Sequence, residues 1–507
     1  MATGGEPVSD GAARIWPSTL QVEALLPREL RNARPARSPG PGGFPAARNR
    51  FPSPLRQLTH TAALTFPEHQ VSAETLAALA TGGGGAAAVR PLVAAQYGKH
   101  LLLVRAVMDM AWKTGHPSAR HARRGYELLI EVAGHAPGAA EAVLRHPSVG
   151  AWGSRTLRAL LNGERHVPAG GPASHDPAQL AALAAAAAIR ARYPCAIEVP
   201  VLRGVITLPS VGQVDLSPGP GPGPGPDGMA NVRYTPEGAR VIAGRRLVPI
   251  PVDTGVDAPG WRGLRPLRAA AGGMTLRLVL DDLDPDRMPD AQDLSGRLSP
   301  AEATRWRQIL PPAWNLLATQ PGTAAEEIRA AIGVLTPLRP PRHGQVSASS
   351  REVFGCVGLS PPVDHHALAL ALAQEAQYAK LGALTDLVAL TRPDDGQRYQ
   401  VPWGADPGHG NPWPENPWRD NPWCEDRQSA DGLLQGAYAC LGVSGFWRWR
   451  GQAEDGAAAT RAHWEFTRCH DAAAEATRVL LASGQLTEAG RTVVSGMAAT
   501  LHAWAAE

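Results

Sequence analysis

Lysine is almost missing from this chain: only Lys99, Lys113 and Lys380 stand among its 49 basic residues. Aromatic residues make up 5% of the 507 residues. The five cysteines (Cys195, Cys356, Cys424, Cys440, Cys469) are odd in number, widely spaced and in no CxxC pair. That excludes a disulfide framework and a cysteine-built structural zinc site, and it fits a reducing cytoplasm. No apolar run approaches the ~18 residues of a membrane span, so no membrane association is expected. The first ten residues lack a basic stretch followed by an apolar one, which argues against a secretory signal. There is no GxSxG elbow, no P-loop and no glycine fingerprint between a strand and a helix.

Charge of either sign is also scarce in excess. The net charge is +3, and residues 1–66 alone hold eight Arg and four acids, +4, so the remainder sums to −1. A body so near neutrality argues against a nucleic-acid partner. What is abundant is glycine and proline, 54 and 48 residues. With the alanine and arginine content, this has the look of GC-rich coding and an actinobacterial source.

The composition shifts along the chain. Residues 1–66, rich in Pro, Gly and Arg, read as a disordered extension. Residues 67–193 read as a helical domain, with amphipathic patterns near 88–111, 118–134, 137–145, 150–162 and 176–192 and a four-glycine break at 82–85. Residues 194–290 read as a small β-rich insert. Its strands lie at 196–201, 205–208, 230–252 and 274–280, interrupted by a Pro-Gly loop at 217–228. Residues 291–507 read as a second helical domain. It opens with Ser299, Pro300 and Glu302, the pattern of a capping box. The fold class expected is mainly α with a small β insert, α+β, built as a multi-helical body.

Helix 364–390 is the first candidate for chemistry. Asp364 is placed to cap it, and helical spacing aligns His366, Leu370, Gln374 and Tyr378 on one stripe, with Glu375 about 100° away. Read on its residues, this is first a buried helix with a satisfied polar seam. The loop 401–426 repeats Asn-Pro-Trp three times at five-residue spacing. Its rigid tryptophans could grip an extended peptide or staple the loop to the body. The segment 281–287 gathers Asp281, Asp282, Asp284 and Asp286 after a strand. It resembles a cation-binding loop without the EF-hand spacing, and solvated turn carboxylates are the expectation. Lys99 and His100, a basic pair in an apolar helix, could hold a substrate or cosubstrate carboxylate, or form a structural ion pair.

The sequence QEAQYAKLGALTDLVAL (374–390) resembles the signature helix, HE-x-x-H-x-KL-x-ALLDLVPL, of the actinobacterial HExxH-motif peptide-modification proteins. These are encoded beside radical SAM/SPASM maturases of the FxSxx-COOH type. Further segments similar to family landmarks are AAQYGKHLLLVRA (94–106), HPSVGAW (146–152), DAPGWRGLRPLR (257–268), LDDLDP (280–285), RLSPAEATRW (297–306) and GLLQGAYACLGVSGFW (432–447). The likeness runs in order over about 67–450. It implies a role in maturing ribosomally made peptides (RiPPs), with a precursor peptide and a radical SAM maturase as partners. Members with the intact motif look like metalloenzymes, some using Fe(II) and 2-oxoglutarate to hydroxylate peptide side chains, with zinc as the alternative metal.

This chain departs from the motif at both imidazoles. Two His at i and i+4 converge on one metal; here those positions are Gln374 and Tyr378, and only Glu375 survives. The primary expectation is therefore a degenerate member that binds precursor peptide or the maturase without a metal cofactor. A second is a metalloenzyme with relocated ligands drawn from His366, Asp406, His409 and Glu375. A third is metal-free catalysis with Glu375 as general base and Tyr378 as proton donor. Lys99, His100, Trp403 and Gln435 are the candidate substrate- or cosubstrate-binding residues.

Overall fold

The computed structural model describes residues 69–164, 175–216, 227–289, 296–341, 345–402 and 427–506. The extension 1–66, most of the Pro-Gly loop and nearly all of the Asn-Pro-Trp loop, with Trp403, Asp406 and His409, lie outside the described residues. The remainder is mainly helical, with 55% of residues in 12 described helices and several sheets. No single described helix is long and apolar enough to cross a membrane; the first two meet that test only together, bent by 115°.

Six helices come first: α1 (Ala73–Ala80), α2 (Gly85–Lys113), α3 (Ala119–His135), α4 (Pro137–Leu144), α5 (Pro147–Leu161) and α6 (Gln179–Ala191). Ser72 caps α1 by accepting from the Thr75 amide at 3.0 Å. In α6 every residue from Leu180 to Ile189 is buried, seven of them alanine. Small side chains let α3 come very close. A Cβ on Gly125 would lie 2.6 Å from the Ala181 nitrogen, so only glycine fits there.

The β insert is a seven-stranded antiparallel sheet ordered β6-β5-β4-β1-β2-β3-β7. Its strands are β1 (Cys195–Leu202), β2 (Val205–Leu208), β3 (Gly212–Asp215), β4 (Asp227–Thr235), β5 (Gly238–Ala243), β6 (Arg246–Ile250) and β7 (Trp261–Gly263). The pattern of β1 alternates buried and exposed, as a sheet with one covered face requires; α6 packs on β1, β2 and β4.

A second sheet crosses the boundary expected at 290. Strands β8 (Arg265–Ala271) and β9 (Met274–Leu280) form a hairpin, and β9 then pairs in parallel with β10 (Val334–Pro337). Strand β10 pairs in parallel with β12 (Cys356–Leu359), and β11 (Ser347–Ala348) closes that edge. The crossover from β9 to β10 carries α7 (Pro300–Thr319) and α8 (Ala324–Ala331). The capping box is present: Ser299 accepts from the Glu302 amide, and Glu302 accepts from the Ser299 amide. Trp306 and Trp314 of α7 are buried against Leu276, Leu278 and Leu310; burying each such side chain contributes roughly 2–3 kcal/mol.

Helix α9 (His365–Leu387) runs through the middle of this body. It packs on α2, α7, α8, β11, β12 and the next helix, α10 (Ala430–Ala453), so it is buried nearly all round. The short hairpin β13 (Tyr399–Gln400) and β14 (Arg427–Gln428) precedes α10, and α11 (Gly456–Ala482) and α12 (Glu488–Ala505) close the chain.

Candidate functional site

Helix α9 begins as its sequence requires, with the Asp364 carboxylate accepting from the Ala367 amide at 2.8 Å. Its motif positions carry no imidazole. Gln374 is buried and Tyr378 half-buried, one turn apart. An amide carbonyl and a neutral phenol are poor ligands for zinc or iron, so the metal centre of intact family helices does not fit these residues. Glu375 is 1% exposed and points to β11. The Ser347 hydroxyl donates to its Oε1 at 2.6 Å, and Ser349 also bonds the carboxyl. Oε2 has no partner. Burial pushes the carboxyl up to about 7, against the opposing effect of the two serines. Such a group can exchange a proton near neutral pH, but it faces a strand rather than solvent.

One turn further, Lys380 is fully buried and paired with Glu327 of α8. Its amine also donates to the Gly82 carbonyl at 2.8 Å, and Gln377 Nε2 donates to the same oxygen at 3.0 Å. The second oxygen of Glu327 accepts from the Gly85 amide at 3.0 Å, placing a carboxylate at the N-terminus of α2 where the helix dipole favours it. The four-glycine run is thus a docking turn as well as a break. Gly84 and Gly85 have φ of 101° and 64°, and a Cβ on Gly82 would press Leu441 at 2.7 Å.

The other sequence candidates do not converge on α9's seam. Lys99 pairs with Asp386 at 2.8 Å, beside Arg351 at 2.7 Å and Gln96 at 2.9 Å. Burial alone would raise Asp386, but Lys99 and Arg351 hold its carboxyl below the usual range. His100, the next residue, points elsewhere: its Nδ1 meets the Leu144 carbonyl at 2.7 Å, and burial pushes the ring down to about 4, so it is neutral. Gly150 admits that ring, since a Cβ there would stand 2.5 Å from His100 Nε2. His366 hydrogen-bonds the Arg450 guanidinium through Nδ1, and burial with that cation lowers its pKa. A neighbouring guanidinium disfavours a metal ion there. Gln435 donates to Asp431 at 2.9 Å, one turn back on α10.

The segment after β9 corrects the expectation of solvated carboxylates: Asp281, Asp282, Asp284 and Asp286 are all buried. The loop folds inward because its partners lie on α5 and around α7. Asp282 is held by Arg265 at 3.0 Å and by Arg297 at 2.5 Å, and it accepts from the Leu298 amide. Asp286 faces Arg155 at 3.4 Å. Asp281 Oδ1 accepts from the amides of Leu283 and Asp284. Asp284 accepts from the Ser148 hydroxyl at 2.7 Å, in the first turn of α5. Burial, then the neighbouring Asp281, raises the Asp284 carboxyl; burial and Asp284 raise Asp286 well above the ordinary range. His146, which precedes α5, places Nε2 3.5 Å from Asp281 Oδ2. These groups went unnoticed as a set because His146 and Asp281 are 135 residues apart; the only signal was that both fall in family-like segments.

No protein-family model matches the chain, and no curated protein is similar to it at a significant level.

Proposed function

We propose that the chain acts in the maturation of ribosomally made peptides as a binding member of the HExxH-like group. Its ligand would be a precursor peptide or the radical SAM/SPASM maturase that modifies it, with no metal chemistry on α9. The observation that carries this reading is the state of that helix. The two ligand positions are Gln374 and Tyr378, while Glu375 is tied to Ser347 and Lys380 to Glu327. The polar residues that would serve a reaction are turned into internal fastenings. The alternative, an Fe(II)/2-oxoglutarate hydroxylase with relocated ligands, would need an open approach for peptide. The described imidazole–carboxylate group, His146 with Asp281 and Asp284, is buried throughout and offers none.

The test uses the full chain with a precursor peptide from an FxSxx-COOH locus and its maturase. Expected is binding of peptide or maturase by fluorescence anisotropy, unchanged by a chelator, with no mass change of the peptide under Fe(II), 2-oxoglutarate and oxygen. A gain of one oxygen that Glu375→Gln abolishes would overturn the reading, as would no binding to either partner.

A further inference from the structure

Ser148 fixes the hydrogen positions around His146. Its hydroxyl donates to Asp284 at 2.7 Å, so its own oxygen is left to accept from His146 Nδ1, 2.8 Å away. With the proton on Nδ1 and the ring neutral, the lone pair of Nε2 faces Asp281 Oδ2 at 3.5 Å. Both atoms are buried and neither has a hydrogen-bond partner. Two acceptors facing each other in a dry place are mutually repulsive, and each is left without the hydrogen bond that burial demands. A cation between them removes both penalties. One oxygen of Asp284 completes the set: the three donor atoms lie within 4.8 Å of one another. Metal–nitrogen and metal–oxygen bonds of ~2.0–2.2 Å match the 3.5 Å between His146 Nε2 and Asp281 Oδ2, and the Asp284 carboxylate closes in on an ion held there.

The surroundings support an ion. His146 already donates its far nitrogen to a fixed partner, as metal-bound imidazoles commonly do. Asp282 and Asp286 have arginine partners, whereas Asp281 faces His146 and Asp284 faces Ser148. We infer that His146, Asp281 and Asp284 form a structural site for one divalent transition metal, which clips the start of α5 to the loop after β9. One imidazole with two carboxylates suits Mn²⁺, Fe²⁺ or Zn²⁺ better than the oxygen-only preference of Ca²⁺ or Mg²⁺. Its full burial makes it a fastening and not a reaction centre, so it stands independently of the function proposed for α9.

The full chain, stripped with chelator, is dialysed against Mn²⁺ and, separately, Zn²⁺, and the metal is counted by mass spectrometry. One equivalent should remain after desalting, with the unfolding midpoint several degrees above that of the stripped protein. Asp281→Asn and His146→Gln should each lower retention at least tenfold, while Glu375→Gln should leave it unchanged. Since those variants could misfold, X-ray absorption on the wild-type zinc form gives a second readout, expected to show one imidazole and oxygen donors with no sulfur. No retained metal and an indifferent midpoint would mean that a proton fills the gap, which overturns the inference. Metal kept by Asp281→Asn but lost in Glu375→Gln would place the ion on α9. That result would overturn this site and the proposed function together, whereas absence of metal leaves the latter standing.

Discussion

Glu375 on α9 and Asp284 after β9 are both carboxyls taken out of water, and the chain treats them differently. On α9 the surrounding groups are neutral or paired one to one: two serines for Glu375, one carboxylate for Lys380. After β9, four carboxylates share one loop, and two of them, Asp281 and Asp284, meet a histidine and a serine in place of arginine. The helix that looks catalytic by its letters keeps Glu375 Oε2 and Gln377 Oε1 without partners, but these do not face an imidazole. At the loop that looks like an ordinary turn, two unmet atoms, His146 Nε2 and Asp281 Oδ2, face each other. A motif resemblance points to one place in the chain, and burial with unmet hydrogen bonding points to another.

The comparison is sharpened most by Lys380→Met. If the α9 junction is a closed pair, removing one partner leaves Glu327 charged and buried, at a cost of about 3–5 kcal/mol. Adding Glu327→Gln should recover most of that loss in urea unfolding. A single-variant cost below ~1 kcal/mol would show that water reaches the junction.

The next effect is a dependence on pH with two opposed parts. Glu375 sits at about 7 when folded against an ordinary 4.5. Its contribution is complete below about 4.5 and is lost as pH rises to 7. His100 sits at about 4 against 6.5, so its contribution is complete above 6.5 and is lost as pH falls to 4. Each amounts to about 3 kcal/mol, and between pH 4.5 and 6.5 they oppose each other. Glu375→Gln should therefore give a stability that rises more steeply with pH than wild type. His100→Gln should give one that falls. Parallel curves for all three proteins, from urea midpoints at four pH values, would refute the assignment.

The smallest effect is expected at Lys99→Met, below about 1 kcal/mol, because that ion pair is partly exposed. Asp386 keeps Arg351 and Gln96 in its absence. A cost comparable to that of Lys380→Met would erase the distinction between a paired surface and a closed junction.

Most helices were legible because their signals are local. The capping box at Ser299 and the Asp364 cap are written in four adjacent residues, and the stripe on α2 repeats every turn. Strands β10 and β12 were missed. Each is four residues long and buried throughout, so neither alternates and neither stands out beside the helices that flank it. At the candidate site, the loss of both imidazoles was visible in the letters at 374 and 378. That Glu375 meets Ser347, or that Asp284 meets Ser148, was not, since those partners belong to elements brought together only by the second sheet.

That sheet also sets a schedule for synthesis. The hairpin β8–β9 leaves the ribosome with one edge of β9 bare, and its parallel neighbour follows roughly fifty residues later, after α7 and α8. At ordinary translation rates the wait is about 3–10 s. Through that interval an unpaired apolar edge is open to other nascent chains. A chaperone that shields strand edges should raise the yield of this protein more than one that delays helix formation.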